Sequence, residues 1–137
     1  MGLGDLAFAQ DAYQPAIAPR GDRLAFVKEE EKDEIWRLDT HTGLARSVFA
    51  PASVVQMAPD ISPDGKRIAF ESERSGSHEV WVANLDGSNA VQLSNFHEPL
   101  FTGSPRWSPD GRRIAFDSRV TGKAAIYLVD PATAFPR

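Results

Sequence analysis

The chain has 137 residues, of which 42% are hydrophobic and 25% charged, and this suits one compact domain or part of a larger one. The formal net charge is −4 and no run of Lys and Arg exceeds two residues, so we expect no nucleic-acid partner, because phosphate backbones are bound by concentrated positive charge. The absence of cysteine excludes disulfides, cysteine-based zinc sites and thiol catalysis.

A nine-residue unit recurs three times along the chain. In order, the copies are Ala18-Pro-Arg-Gly-Asp-Arg-Leu-Ala-Phe26, Ser62-Pro-Asp-Gly-Lys-Arg-Ile-Ala-Phe70 and Ser108-Pro-Asp-Gly-Arg-Arg-Ile-Ala-Phe116, the first being the weakest. Their glycines are about 45 residues apart, the period of one four-stranded β-propeller blade. Proline and glycine at these spacings are typical of a β-turn, and β-rich runs flank it, so each unit predicts a hairpin.

Each blade is predicted to begin with its innermost strand. These strands are Tyr13–Ile17, Met57–Ile61 and Gly103–Trp107, and the last residue of each (Ile17, Ile61, Trp107) should lie in the core. The clearer second strands are Arg67–Phe70 and Arg113–Phe116, and the third strands are Glu34–Asp39, Glu79–Asn84 and Ala125–Asp130. The weaker fourth strands are Leu44–Phe49 and Ala90–Leu93. No segment shows a sustained helical period, so the predicted fold class is an all-β propeller.

The chain opens with a stretch, Gly2–Ala9, that can be laid over the fourth-strand region Gly43–Ala50. Gly2–Ala9 is therefore predicted as an outermost strand that belongs to no blade of its own. The predicted blades are about 12–50, 56–95 and 102–137, and the third lacks its own fourth strand. The whole chain, 1–137, is thus predicted as one partial propeller whose three blades are displaced by one strand.

Aromatic residues recur at two positions of the unit. The second strands contain Phe26, Phe70 and Phe116, and the third strands contain Trp36, Trp81 and Tyr127. We interpret both sets as packing between neighbouring blades, because large aromatic side chains are usually buried. A stacking platform for a ligand is the alternative interpretation.

The motif Ser-Pro-Asp-Gly-x-Arg-Ile-Ala-Phe, followed by Ser-x-Arg-Ser-Gly and a Val-Trp-Val strand, resembles the WD40-like propeller repeat of TolB proteins. Similar blades occur in CadC-like bacterial regulators and in the propellers of dipeptidyl peptidase IV and prolyl oligopeptidase relatives. The first blade departs from the pattern at Ala18–Gly21 and at Lys28–Glu34. The resemblance implies a periplasmic binding or scaffold protein.

Three blades cannot close a ring, because propellers typically have four to eight blades. Open inter-blade faces would expose apolar side chains, so we expect the chain to associate with itself. Two chains would form a closed six-bladed ring with twofold symmetry, and three would form nine blades, which is less usual. The alternatives are a truncated piece of a longer propeller and an excised or engineered half-propeller.

The sequence predicts a non-enzymatic module that binds itself and possible protein or peptide partners, with no metal or cofactor. A serine hydrolase of the related kind would need Gly-x-Ser-x-Gly, which does not occur, and the neighbours Ser77 and His78 do not by themselves form a triad. The alternative function is a propeller gate of a prolyl-oligopeptidase-like peptidase whose catalytic domain is absent. No apolar run approaches about 18 residues, so no membrane insertion is expected. No signal-peptide pattern is found either, and the compartment is otherwise unknown.

Six polar residues are the candidate binding site at the channel mouth and on the loops beside it. They are Asp60, Arg74, His97, Glu98, Arg106 and Arg119. Asp60 and Arg106 are predicted on innermost strands beside the channel, and Arg74 and Arg119 are predicted at matching positions in two turns. The functional interpretation is a polar rim for a peptide or protein. The structural alternative is that the arginines bond backbone carbonyls or the carboxylates of Glu71 and Asp117.

Overall fold

The computed structural model describes residues 11–29, 31–49, 54–97 and 100–133, and every regular element within these ranges is a β-strand. The strands are β1 (Ala12–Ile17), β2 (Arg23–Lys28), β3 (Glu34–Asp39), β4 (Ala45–Ser47), β5 (Gln56–Ile61), β6 (Arg67–Ser72), β7 (Glu79–Asn84), β8 (Val91–Gln92), β9 (Thr102–Trp107), β10 (Ile114–Ser118) and β11 (Ala125–Val129). Over the described ranges, no helix is long and apolar enough to cross a bilayer. The predicted strand Gly2–Ala9 lies outside the described residues.

The strands form three antiparallel meanders. Blade 1 is β1-β2-β3-β4, blade 2 is β5-β6-β7-β8, and blade 3 is described as β9-β10-β11. Two apolar clusters join them, one between blades 1 and 2 and one between blades 2 and 3. We call the face of a blade that points to the next blade in the chain its front face, and the opposite one its rear face. The all-β prediction is confirmed.

The third strand of each blade is predicted best. Strands β3 and β7 have the predicted limits, and β11 ends one residue before the predicted Asp130. The fourth strands β4 and β8 are three and two residues long, shorter than predicted. An outermost strand pairs on one side only, so its ladder ends earlier than its sequence pattern suggests. The two recurring sets of aromatic residues pair in register within each blade: Phe26 with Trp36, Phe70 with Trp81 and Phe116 with Tyr127.

The repeated turn is held by the side chains of its serine and aspartate. In blade 2 the Ser62 hydroxyl donates to Asp64 Oδ1 at 2.6 Å and accepts the N–H of Arg67 at 2.9 Å. Ser108 and Asp110 make the same pair of contacts in blade 3. Blade 1 has Ala18 and Arg20 instead, so it lacks these side-chain contacts and keeps the backbone bonds from Gly21 N to Ala18 O at 2.7 Å and from Ala18 N to Arg23 O at 2.9 Å.

Restoring the turn of blade 1 should stabilise the protein. The double variant Ala18→Ser/Arg20→Asp is expected to raise the free energy of unfolding by about 1 kcal/mol, since each new hydrogen bond contributes about 0.5–1.5 kcal/mol. The space exists, because Ser62 is as fully buried in blade 2 as Ala18 is in blade 1. Urea denaturation of the double and the two single variants checks this. The singles should gain less, and a destabilised double variant would contradict the interpretation of this turn.

The innermost strands share a bulge before their prolines. Gln14, Ala58 and Ser104 have φ angles of 51°, 52° and 53°, and the strand register shifts there. A bulge removes one N–H from the ladder, and it needs another acceptor. The Gln14 amide oxygen accepts the N–H of Ala58 at 2.7 Å, and the Glu71 carboxylate interacts with the backbone N–H of Ser104. Each of these acceptors comes from the preceding blade.

The predicted core position at the end of each innermost strand differs between blades. Ile61 is 4% exposed, and Trp107 packs against the cluster between blades 2 and 3. Ile17 is 69% exposed, so its prediction as a core residue is wrong. Ile61 lies on the rear face of blade 2, where blade 1 covers it, whereas no described residue supplies a blade behind Ile17.

The front face of blade 3 is open in the same way. Its Ile126 and Leu128 are 74% and 63% exposed. Their counterparts on blade 2 are Val80 and Val82, which are buried at 0% and 6% exposure by blade 3. The same strand pattern is therefore buried or exposed according to whether another blade follows it among the described residues.

Candidate functional site

The structure brings two of the predicted site residues, Asp60 and Arg106, close together on the innermost strands β5 and β9. Asp60 Oδ2 accepts the backbone N–H of Trp107 at 2.7 Å, which links blade 2 to blade 3. The Arg106 guanidinium donates to the carbonyl of Pro105 at 2.8 Å. Burial raises the pKa of Asp60, and the Trp107 N–H and the charge of Arg106 oppose this shift. The expected bond of an arginine to a backbone carbonyl is thus found for Arg106.

The raised pKa of Asp60 gives a signed prediction for stability. A carboxyl whose pKa is higher in the folded than in the unfolded chain stabilises the fold fully below its ordinary pKa of about 3.9. That contribution is lost as the pH rises through the raised value. Asp60→Asn keeps an oxygen acceptor for Trp107 but carries no charge. Relative to wild type, the Asp60→Asn variant should therefore become more stable, with a larger free energy of unfolding, as the pH increases from 4 to 7.

Urea denaturation of wild type and Asp60→Asn across that pH range tests the sign. A useful control is Asp110→Asn, because hydrogen bonds from Ser108 and Arg112 lower the pKa of Asp110. For this control, the difference in the free energy of unfolding should change in the opposite direction, with wild type gaining stability over Asp110→Asn as the pH rises from 3 toward 5. If the difference in the free energy of unfolding between wild type and Asp60→Asn did not change with pH, the prediction would be contradicted.

Arg74 lies in an aromatic cage between blades 1 and 2. Its guanidinium carbon is 4.8 Å from the Phe49 ring centroid and 5.0 Å from those of Phe70 and Trp81. The Nε donates to Ser72 Oγ at 3.2 Å. Burial lowers the pKa of Arg74. The structural alternative predicted that this arginine bonds a backbone carbonyl or the carboxylate of Glu71 or Asp117. The structure shows cation–π contacts instead, and these join the end of blade 1 to blade 2.

Arg74 and Arg119 were predicted at matching positions in two turns, and this prediction is wrong. The N–H of Arg74 donates to Ser72 Oγ, and the N–H of Val120 donates to Ser118 Oγ, both at 3.2 Å. Val120 is therefore the counterpart of Arg74, and Arg119 is the counterpart of Glu73. The pairing was wrong by one residue, although the sequence contains the register: Ser72 with Ser118 and Gly76 with Gly122 are identical at the same distance from the aligned Phe70 and Phe116.

Of the remaining predicted residues, His97 lies on the connection from blade 2 to blade 3 and Arg119 lies on the turn between β10 and β11 of blade 3. His97 is exposed and has a φ of 55°. Glu98 lies outside the described residues. Arg119 is exposed on the same end of the structure, and its N–H donates to the carbonyl of Phe101 at 2.9 Å. Among the described residues, His97 and Arg119 make no hydrogen bond or ion pair with Asp60 or Arg106, which lie on innermost strands.

The sequence interpretation missed Glu79, a fully buried carboxylate. Glu79 Oε1 accepts the backbone N–H groups of Phe96 and His97 at 2.8 and 2.9 Å, and Oε2 accepts the hydroxyl of Ser94. Ser94 in turn accepts the N–H of Val80 at 2.8 Å. One carboxylate thus holds the connection that leads from blade 2 into blade 3. A glutamate at the start of the third strand in two blades (Glu34 and Glu79) was the available signal.

A second missed group is the chain Glu71–His78–Glu73. The two imidazole nitrogens of His78 lie 2.6 Å from Glu71 Oε1 and 2.7 Å from Glu73 Oε1. Burial raises the pKa of Glu71, and the charge of His78 opposes this. Ser77 donates instead to Glu79 Oε1 at 3.2 Å, so the Ser77 hydroxyl and the His78 ring have separate partners. Within the described part of the chain, no group of three His, Asp or Glu residues is arranged to hold a metal ion.

Three antiparallel meanders packed face to face, with innermost strands linked by side chains of the preceding blade, define a β-propeller repeat protein. Residues 8–134 match the model of the TolB beta propeller domain family. The chain belongs to this family, and its predicted family resemblance is confirmed.

Known relatives and solved structures extend well beyond this segment. The chain is 36% identical over 88 residues to Tricorn protease homolog 1 of Streptomyces coelicolor, covering 64% of the chain and 8% of that protein. It is 32% identical over 111 residues to the uncharacterized peptidase YuxL of Bacillus subtilis, covering 75% of the chain and 16% of that protein. TolB from Acinetobacter baumannii matches with a TM-score of 0.76 and 26% identity, over 90% of this chain and 31% of that one.

Proposed function

We propose that the chain is a non-enzymatic propeller segment that scaffolds protein assembly, and that a second copy covers the open front face of blade 3 to complete six blades. The observation that carries the proposal is the exposure of Ile126 and Leu128, whose counterparts in blade 2 are buried. Exposed Ile17 on the rear face of blade 1 provides a second apolar surface. Burying one blade face against another removes both surfaces from water, which favours association.

The mass in solution tests the self-association. We expect light scattering to give twice the chain mass at micromolar concentration. Ile126→Ser/Leu128→Glu should shift the chain to monomer, because it places a charge in the proposed interface. Leu44→Glu is the matched control, since Leu44 is 60% exposed on a turn of blade 1, and it should leave the mass unchanged. A monomeric wild type would overturn the proposal and favour completion by blades of a longer polypeptide.

Partner binding is proposed at the end of the blades that carries the inter-blade connections, which we call the loop face. Exposed Arg119 and His97 lie there beside exposed Leu100 and Phe101. Mixed apolar and charged side chains of this kind suit a protein or peptide surface. A photocrosslinker at position 119 should capture a partner that the same group at Arg112, on the opposite turns, does not capture. Equal capture at both positions would contradict the assignment.

The alternative is a gate of a peptidase, and the two peptidase relatives support it. In that arrangement, these blades would cover a catalytic domain encoded elsewhere in the same polypeptide. A Gly-x-Ser-x-Gly motif beside the blades in the complete gene, together with labelling of the whole polypeptide by a serine-hydrolase probe, would favour the gate over the scaffold.

A further inference from the structure

A cleft on blade 1 is lined mainly by arginines. Its volume is about 200 Å³, and its lining residues are Arg23, Arg37, Asp39, Thr42, Leu44 and Arg46. We call it the arginine cleft. It lies at the turn end of blade 1, opposite the loop face, and a neighbouring cleft that reaches blade 2 shares Arg23 and Arg37. Neither the channel residues nor the loop-face residues take part in it.

Two of its arginines stand directly opposite each other. Arg37 on β3 pairs in register with Arg46 on β4. Like charges in directly opposed positions destabilise a sheet. The corresponding pair in blade 2 is Val82 with Val91, and both valines pack in the cluster between blades 2 and 3. The blade framework therefore accepts an apolar pair at these positions, and the paired arginines are not needed to build it.

The charges of the cleft are only partly compensated. Arg23 forms ion pairs with Asp39 at 3.2 Å and with Asp22 at 3.9 Å. Arg37 donates to the carbonyl of Leu85 at 3.5 Å. Among the described residues, the exposed Arg46 makes no hydrogen bond or ion pair with a side chain or carbonyl. The cleft thus contains three guanidinium groups and a single lining carboxylate, which Arg23 already binds.

One further carboxylate lies near Arg37 on blade 2. Hydrogen bonds from Ser88, followed by the charge of Arg37, lower the pKa of Asp86. The Asp86 carboxylate accepts the hydroxyl of Ser88 at 2.6 Å and its N–H at 2.9 Å, which holds it in its own turn. Asp86 therefore reduces the positive charge around Arg37 without forming an ion pair that closes the cleft.

We propose that the arginine cleft binds a phosphoryl dianion, either inorganic phosphate or the phosphoryl group of a larger ligand. Guanidinium groups bind phosphate oxygens in bidentate pairs, and two opposed arginines can hold two edges of one tetrahedral group. Thr42 Oγ1 accepts the N–H of Leu44 at 3.3 Å, which leaves its O–H to donate to a bound oxygen. The anion removes the repulsion between Arg37 and Arg46, so its binding stabilises the folded chain.

Phosphate titration at low ionic strength tests the proposal. Calorimetry and backbone NMR shifts with inorganic phosphate should show saturable binding, with the shifts centred on β3 and β4. The variant Arg37→Val/Arg46→Val copies the pair of blade 2, and we expect it to weaken phosphate binding at least tenfold. Its melting temperature without phosphate should equal or exceed that of wild type, which separates loss of the site from loss of the fold.

The control variant removes the same two charges elsewhere. Arg119→Val/Lys123→Val changes the loop face and should keep phosphate affinity within twofold. A parallel titration with O-phosphoserine distinguishes the two sources of the phosphoryl group. An affinity equal to that for inorganic phosphate indicates a site for the free ion, and a higher affinity for O-phosphoserine indicates a site for a phosphoester ligand. The proposal would be overturned if wild type showed no saturable phosphate binding. Equal weakening of phosphate binding in both double variants would also overturn it, because that result is a response to net charge alone.

Discussion

Replacing Glu79 with alanine is expected to lower the free energy of unfolding by about 3–5 kcal/mol, the cost typical of disrupting a buried charged network. Glu79 is fully buried and accepts hydrogen bonds from two consecutive backbone N–H groups and from the hydroxyl of Ser94. Alanine leaves these donors buried without an acceptor, and solvent cannot enter without separating blade 2 from the connection to blade 3. Urea denaturation measures the loss.

The chain offers a matched control for this substitution. Glu34 begins β3 as Glu79 begins β7, but it is partly exposed and makes no such hydrogen bonds among the described residues. Glu34→Ala should change the free energy of unfolding by less than about 0.5 kcal/mol. Glu79→Gln should fall between the two, because it keeps one oxygen acceptor. Equal effects of Glu79→Ala and Glu34→Ala would show that the buried carboxylate does not hold the connection.

Gly87→Ala should also destabilise strongly, by about 3–4 kcal/mol. Gly87 has a φ of 88°, and a Cβ there would lie 2.2 Å from the carbonyl oxygen of Val48 in blade 1. A left-handed φ costs a non-glycine residue about 1–2 kcal/mol, and overpacking adds about 1–3 kcal/mol. The clash is with backbone, so the two blades must move apart to relieve it.

A substitution of the glycine in the corresponding turn of blade 1 separates the conformational cost from the cost of the clash. Gly43 also has a positive φ, of 72°, but a Cβ there meets nothing within 4 Å. Gly43→Ala is therefore expected to cost only about 1–2 kcal/mol, the conformational part of the effect. If thermal and urea denaturation showed the same loss for both variants, the close approach of blade 2 to Val48 would not be present in solution.

Local sequence patterns were sufficient for the repeated turns and for the limits of two of the third strands. The Ser-Pro-Asp-Gly units predicted the hairpins because proline, aspartate and glycine determine the turn within a few residues. The third strands Glu34–Asp39 and Glu79–Asn84 were predicted to the residue. The period of about 45 residues predicted the four-stranded blade, and the resemblance of the repeated motif to TolB repeats predicted the family.

Only the tertiary structure decided which of these equivalent residues are buried. Ile17 and Ile61 hold the same place in the repeat, yet one is exposed and the other is covered by the preceding blade. The candidate site shows the same limit. Asp60 and Arg106 were correctly placed on innermost strands, whereas Glu71 and Glu79 were not proposed as site residues, because a buried and a solvated glutamate have the same sequence signal.

The sequence by itself therefore determined the blade as a unit: its strands, its turn and its membership of the TolB propeller family. The fold decided which side chains meet, as in the aromatic cage of Arg74, the hydrogen bonds of Glu79 and the opposed arginines of the cleft. The physical reason is range. Turn chemistry and strand period act within a few residues, while burial and side-chain pairing depend on residues that are distant along the chain, on other strands or in the neighbouring blade.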